Sequence, residues 1–161
     1  MPIRQTVKGN LLSMFKEGRF DGIAHGCNCC HTMGAGIAAG VSSEFPEALE
    51  ADIKHHIAGA NVTGQYSAAE VAHGIIFNLY TQLLPGREDS VKLNKNIEAA
   101  FQELNDDLKE LAEKIEGWSE TPHIGIPMIG AGIAGGNWQH ISRLINKATP
   151  DINITLVEYQ P

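Results

Sequence analysis

The sequence predicts an α/β domain in which helices cover both faces of a sheet, and two observations carry that expectation. Strand-like and helix-like segments alternate along the chain, the pattern of strands joined by crossover helices. The pentapeptide Gly-Ala-Gly-Ile-Ala occurs twice, at residues 34–38 and 130–134, each time after an apolar strand-like run and ahead of a helical one. A Gly-x-Gly turn between strand and helix lets backbone N–H groups approach an anion with no Cβ in the way. Two such turns imply a ligand with several anionic or hydroxyl-rich groups, a nucleotide-like molecule.

Residues 3–7 are expected to form a first strand ending at Lys8, Gly9 and Asn10, with a helical turn over 11–16. A buried strand follows over 20–27. Residues 36–45 read as helix, stopped by Pro46, whose ring disfavours helical geometry at the residue before it; helix resumes over 47–58. Residues 71–73 and 75–80 are β-branched or aromatic enough to pair about Gly74. The clearest helix covers 92–116, where Ile97, Phe101, Leu104, Leu108, Leu111 and Ile115 recur at spacings of three and four, placing one apolar stripe against a core. Gly117 suits its C-terminal stop. Its acidic outer face (Glu98, Glu103, Asp106, Asp107, Glu110, Glu113) reads as solvated surface. A strand over 124–129, a helix over 138–147 and a closing strand over 152–159 complete the chain. The flanks of the two pentapeptides differ, so there is no internal repeat.

At 161 residues the chain is expected to be one domain, long enough to bury roughly two thirds of its unfolded surface. With 43% hydrophobic and 19% charged residues, folding is favoured over disorder. The net charge of −7, with twelve scattered Lys and Arg, excludes the basic stripe of a nucleic-acid binder. A small anion can still be held by backbone amides and helix ends. The start, Met1-Pro-Ile-Arg, lacks the apolar core of a signal peptide, and no run reaches transmembrane length. Cys27, Cys29 and Cys30 form an odd, clustered set, poor material for disulfides and suited to a reducing cytoplasm. A monomer with a small-molecule partner is expected, without nucleic acid, membrane, cofactor or metal.

Gly130 to Gly135 fits Gly-x-Gly-x-x-Gly, and Gly34 to Ala39 fits its alanine variant. A dinucleotide fold needs that motif after its first strand and an acidic residue at the end of the next one. Here the first copy follows the second strand, Glu50 and Asp52 fall in a predicted helix, and the second copy lies too near the C-terminus. The plainer alternative is glycine used only for tight packing. In His25-Gly-Cys27-Asn28-Cys29-Cys30-His31, structural zinc is disfavoured because Cys-x-Cys-Cys lacks the usual spacer and no second cysteine pair exists. Cys27 reads as a small core residue. A thiolate at Cys29 or Cys30, activated by a helix N-terminus, is a minor option. Asn28, on the loop beside a glycine turn, can pair with vicinal sugar hydroxyls. His25 and His31 could move a proton. His55, His56, His73, His123 and His140 receive no role, and Trp118 and Trp138 read as packing residues.

Assembled in this order, these residues resemble the macrodomain family, which binds ADP-ribose and its derivatives. Four segments carry the resemblance: residues 7–12, 25–39, 126–138 and 154–159. The resemblance implies a three-layer α/β/α macrodomain with a central mixed, mostly parallel sheet. It also implies that Asn10, with Leu11, meets the adenine, bordered by an aromatic at Tyr159 or, in the alternative register, by the position of Val157. Asn28 with Gly34, Ala35, Gly36, Ile37 and Ala38 would grip the distal ribose, and Gly130, Ala131, Gly132, Ile133 and Ala134 the diphosphate. The match looks closest to the branch that dephosphorylates ADP-ribose 1″-phosphate, with Asn28, His25 and His31 as the implied catalytic residues. Family members that remove ADP-ribose from acidic side chains or esters often carry an Asp where this chain has Ala38. A second hydrolase branch pairs a Lys with an Asp where this chain has Ala134. A non-catalytic ADP-ribose reader and an ADP-ribosyl ester hydrolase are the alternatives.

Overall fold

A computed structural model describes residues 3–114 and 121–160. Six strands and five helices follow one another as β1 (Ile3–Gly9), α1 (Leu11–Lys16), β2 (Gly22–Cys27), α2 (Gly36–Glu44), α3 (Pro46–His55), β3 (Tyr66–Val71), β4 (Gly74–Tyr80), α4 (Ser90–Lys114), β5 (His123–Ile126), α5 (Trp138–Ala148) and β6 (Asn153–Tyr159). They build one mixed sheet in the order β1-β6-β5-β2-β4-β3. Every pairing is parallel except the edge pair β3–β4. The expected mostly parallel sheet is what the chain forms.

Alternation along the central strands supplies two cores. Ala24, Phe77, Ile124 and Leu156 face α4 and α5, packing against Leu93, Ile97, Phe101, Leu104, Ile141 and Ile145. Ile23, Ile76 and Val157 face the other way, onto Leu11, Leu12 and Phe15 of α1 and onto Val41, Phe45 and Ala48 around α2 and α3. The sheet is therefore the middle of three layers. The apolar stripe of α4 lies where its spacing put it: Ile97, Phe101, Leu104 and Leu108 are buried and Leu111 packs beside them. Each such side chain contributes on the order of 1.5–3 kcal/mol. Ile115, Glu116, Gly117 and Trp118 lie outside the described residues. Trp138 packs against the same core as expected.

Several boundaries shift from the sequence expectation, α3 ending at His55 rather than 58 and β2 starting at Gly22 rather than 20, and three have a clear physical cause. Pro46 ends one helix and begins the next: it is the first residue of α3, where its missing N–H costs nothing. β3 starts at Tyr66, and Ala72 and His73 form the turn rather than a strand. Ser67, Ala68, Ala69 and Glu70 have weak strand character, but as an edge strand they alternate in burial and need only one packed face. β5 ends at Ile126, because Pro127 cannot donate to a ladder and the chain turns there. Among the described residues no helix is long and apolar enough to cross a membrane.

Candidate ligand-binding cleft

All five parallel-paired strands point their C-terminal ends the same way, so the loops that follow them gather at one end of the sheet. Such a set of loops is where α/β sheets bind ligands. A cleft of about 500 Å³ opens there, within the roughly 300–1,000 Å³ of small-molecule sites. Its walls are the loop after β2, the start of α2, the loop after β4 and the loop after β5. The two pentapeptides meet across this cleft: Gly34, Ala35, Gly36, Ile37 and Ala38 line it from one side, and Gly130, Gly132, Ile133 and Ala134 from the other. Asn28 joins them, whereas Ala131 does not reach the wall.

The glycines of the two turns divide by cause. Gly36 at φ +58° and Gly130 at φ +77° adopt the left-handed region, which side chains enter at a cost. Gly34 and Gly132 do not have a positive φ, and a Cβ added to either would meet no atom within 4 Å. The fold therefore has room for a side chain at both, on the face that borders the cleft.

α2 starts at Gly36, and no side chain caps it: its N-cap, Ala35, carries no oxygen to offer. By contrast Asn10 caps α1 through Ser13 N at 3.0 Å, and Asn137 caps α5 through His140 N at 3.2 Å. The positive end of the α2 dipole thus faces the cleft with its amides open.

Asn28 holds its own loop. Its Nδ2 donates to the Thr32 carbonyl at 3.1 Å and to Thr32 Oγ1 at 2.8 Å, and its Oδ1 accepts from Cys30 N at 2.8 Å. A sugar hydroxyl would compete with these bonds or use the remaining lone pair on Oδ1.

Neither expected imidazole lines the cleft. His25 points from β2 toward α3 and is fully buried, hydrogen-bonded at 2.7 Å to Asn78 Oδ1. Burial holds its pKa below the ordinary value, partly offset by the Asn78 hydrogen bond and the Asp52 charge. That position keeps it off the cleft wall, away from the place expected of a catalytic residue. Asn78 Nδ2 in turn donates to Ala48 O and Ser67 Oγ, Ser67 Oγ and Tyr80 Oη share a bond of 2.8 Å, and Tyr80 Oη donates to Asp52 Oδ1 at 2.7 Å. This buried chain ends on Asp52, the sole carboxylate on the cleft wall among the described residues. His31 sits in the loop at φ +60°, turned toward Asp52 and His56.

Cys27 and Cys29 carry no activated thiolate. Cys27 and Cys29 are buried, and burial raises both thiol pKa values. Cys29 Sγ and Cys30 Sγ donate to the carbonyls of Gln82 and Leu83. Cys27 is the core residue its strand position implied.

Asn10, Leu11 and Tyr159 lie beyond the cleft wall, at the ends of β1 and β6. Gly9 pairs with Tyr159, so Asn10 and the aromatic are brought together. Tyr159 is 74% exposed, while Val157 faces the core; of the two registers, only Tyr159 offers a free ring. Leu11 is a core side chain.

Sequence reasoning missed the loop after β4. Thr81, Gln82, Pro85 and Gly86 line the cleft, with Gln82 Nε2 bracing the loop through Leu84 O and Gly86 O. Pro85-Gly86 was the available signal. The next residue, Arg87, lays its guanidinium against Gly135, at the end of the second glycine turn.

This geometry agrees with what the chain is similar to. Over 161 residues it is 38% identical to an uncharacterised 17.5 kDa protein from the tk–vs intergenic region of Enterobacteria phage T4, covering 96% of each chain. The two belong to one family. An ADP-ribose 1″-phosphate phosphatase of the yeast Meyerozyma guilliermondii is 24% identical, with 94% of this chain and 97% of the other covered. The macrodomain of Thermus aquaticus DarG superposes with a TM-score of 0.73 at 22% identity, covering 98% and 97%. The chain has the macrodomain fold. Thermosipho africanus DarTG, solved in complex with ADP-ribose, matches with a TM-score of 0.71 at 18% identity, over 100% of this macrodomain and 43% of that chain. No protein-family model matches the chain.

Proposed function

We propose that the cleft binds ADP-ribose derivatives and that the protein hydrolyses the terminal phosphate of ADP-ribose 1″-phosphate to give ADP-ribose and phosphate. The observation that carries the binding reading is the pair Gly34 and Gly132. Neither backbone conformation nor packing requires glycine there, so the missing side chains serve something that lies against those two turns. A diphosphate and a terminal phosphate fit that demand, because the facing groups are main-chain amides and the open N-terminus of α2. Asn28 would orient the distal ribose, with Tyr159 and Asn10 at the adenine end. Two similarities support the reading: the Thermosipho neighbour was solved with ADP-ribose, and the yeast relative is named for this phosphatase reaction.

With both imidazoles off the wall, turnover rests on positioning and on the field of the amides. Phosphate monoesters are the slowest of biological substrates unaided, so a slow enzyme is expected. A non-catalytic reader of ADP-ribose is the second reading, favoured by Ala38 and Ala134 in the places of the hydrolase aspartates and by the inward turn of the Asn28 amide. Incubation with ADP-ribose 1″-phosphate separates the two. Phosphate released above an Asn28→Ala control establishes the phosphatase. Tight ADP-ribose binding by titration calorimetry without release leaves the reader, and absence of binding removes both.

A further inference from the structure

We propose that His31, Asp52 and His56 form a binding site for a divalent transition-metal ion, zinc foremost, at the margin of the cleft. Asp52 and His56 lie one helical turn apart at the end of α3, and the loop after β2 brings His31 against them. Asp52 Oδ1 is 3.9 Å from His31 Nε2 and 3.9 Å from His56 Nδ1, and the three donor atoms all lie within 4.8 Å of one another. The rings meet edge to face with centroids 4.4 Å apart. The side chains of Asp52 and His56 are only 1% and 3% exposed.

The second observation is independent of the clustering. His31 Nε2 and His56 Nδ1 are both buried and both lack a hydrogen-bond partner, a state that folded proteins seldom leave unanswered. The tautomer of His56 follows from its other nitrogen. His56 Nε2 is 2.9 Å from the Cys29 carbonyl, which can only accept, so Nε2 carries the proton and the neutral ring presents a bare lone pair at Nδ1. A ring whose far nitrogen is anchored on a carbonyl is the usual arrangement of metal-bound histidine. Asp52 is oriented in the same manner by the Tyr80 hydroxyl at 2.7 Å.

Protonation of either ring would not satisfy these atoms in place, since 3.9 Å is too long for a hydrogen bond. An ion at about 2.1 Å from each donor spans such separations, because tetrahedral donors sit about 3.4 Å apart; closure needs rotamer shifts of roughly half an ångström to one ångström. Two imidazoles and one carboxylate select zinc and its neighbours over magnesium or calcium, which prefer oxygen sets. The cysteines take no part, as Cys29 and Cys30 point their sulfurs at the loop after β4. Asp52 also belongs to the cleft wall, so the ion would brace the loop that carries Asn28 and Thr32.

The test uses the full chain, stripped by chelator and dialysed, and titrated with Zn²⁺ by calorimetry and with Co²⁺ by visible spectroscopy. One equivalent is expected to bind, with the intense bands of four-coordinate Co²⁺. Outer partners alone are worth about 10–100-fold in metal affinity, so His31→Ala and His56→Ala should each weaken binding by at least that much. Tyr80→Phe, which leaves all three ligands, should weaken it within that range and covers the case in which a ligand variant fails to fold. The double variant Cys29→Ser, Cys30→Ser should keep the site. Absence of saturable binding, binding undiminished in His31→Ala, or binding lost in the cysteine variant would overturn the proposal. ADP-ribose affinity is measured separately on the same samples, so failure of the nucleotide reading leaves the metal result standing.

Discussion

The imidazole of His25 donates through Nε2 to Asn78 Oδ1 at 2.7 Å, in a site closed to solvent on every side. The direction of that bond is set by Asn78, whose Nδ2 is committed to Ala48 O and Ser67 Oγ. His25 is therefore held neutral, with its pKa below the ordinary value of 6.5, chiefly because burial disfavours the cation.

The sign of the pH effect follows. Below about pH 6.5 the unfolded chain takes up a proton at His25 that the folded chain refuses, so stability is full above that pH and falls as pH drops toward the folded-state pKa. His123, half-buried and shifted the same way by burial, adds to the wild-type slope. His25→Gln removes one contribution and leaves the other. Urea unfolding at several pH values from 5 to 8 should therefore show a shallower acid decline in His25→Gln than in wild type. Parallel curves would show that His25 takes up its proton equally in the folded and unfolded states.

Gly34 and Gly132 are expected to matter for ligand and not for fold. Gly132→Val places its branches in space that the protein leaves empty, so unfolding free energy should change by no more than about 0.5 kcal/mol. ADP-ribose affinity should fall at least tenfold, about 1.4 kcal/mol, with Gly34→Val behaving alike. Calorimetric titration beside a thermal melt reads both. A Gly132→Val protein that binds as wild type would remove the main support for the cleft reading.

Gly130 should respond in the opposite way. Its φ of +77° and the 2.9 Å separation between an added Cβ and Ile97 Cδ1 make it a structural glycine. Gly130→Ala is expected to cost about 1–3 kcal/mol of stability. Ile97→Val, which deletes the clashing methyl, should recover part of that loss in the double variant, beyond simple addition. Unchanged stability in Gly130→Ala would mean that the second turn reshapes freely.

Legibility in the sequence tracked how local each signal was. The stripe of α4 and the two pentapeptides are short-range patterns, and they located a core helix and both facing walls of the cleft. β3 was misplaced because Ser67-Ala-Ala-Glu has little strand propensity of its own; its pairing with β4 is a tertiary effect. The directions in which His25 and His31 point are not legible in the sequence. Adjacency to a loop says nothing about which face of β2 a side chain takes, and alternation sends His25 with Ile23 and Cys27 toward α3. The spacing of Asp52 and His56 was visible, but the approach of His31 depends on a residue at positive φ, which no spacing encodes. Arg87 was passed over for the same reason, being distant in sequence from the turn it touches.

Arg87 brings the final expectation. It follows the loop after β4, and its guanidinium lies 3.1–3.4 Å from the position a Gly135 Cβ would take. The Glu88 amide donates to Ala134 O at 3.2 Å, which ties the two segments together. A planar cation held at the end of a turn built for phosphate adds charge that the amides lack. Because Arg87 is exposed, the contribution is modest and screened by salt. Arg87→Ala should weaken ADP-ribose binding about two- to fivefold at low salt, and less at high salt. Arg87→Lys should restore only part, since an ammonium cannot make the paired contact. Calorimetry at two ionic strengths measures each term. Equal affinities for wild type and Arg87→Ala at low salt would place the diphosphate out of reach of this side chain, leaving its neutralisation to the main chain alone.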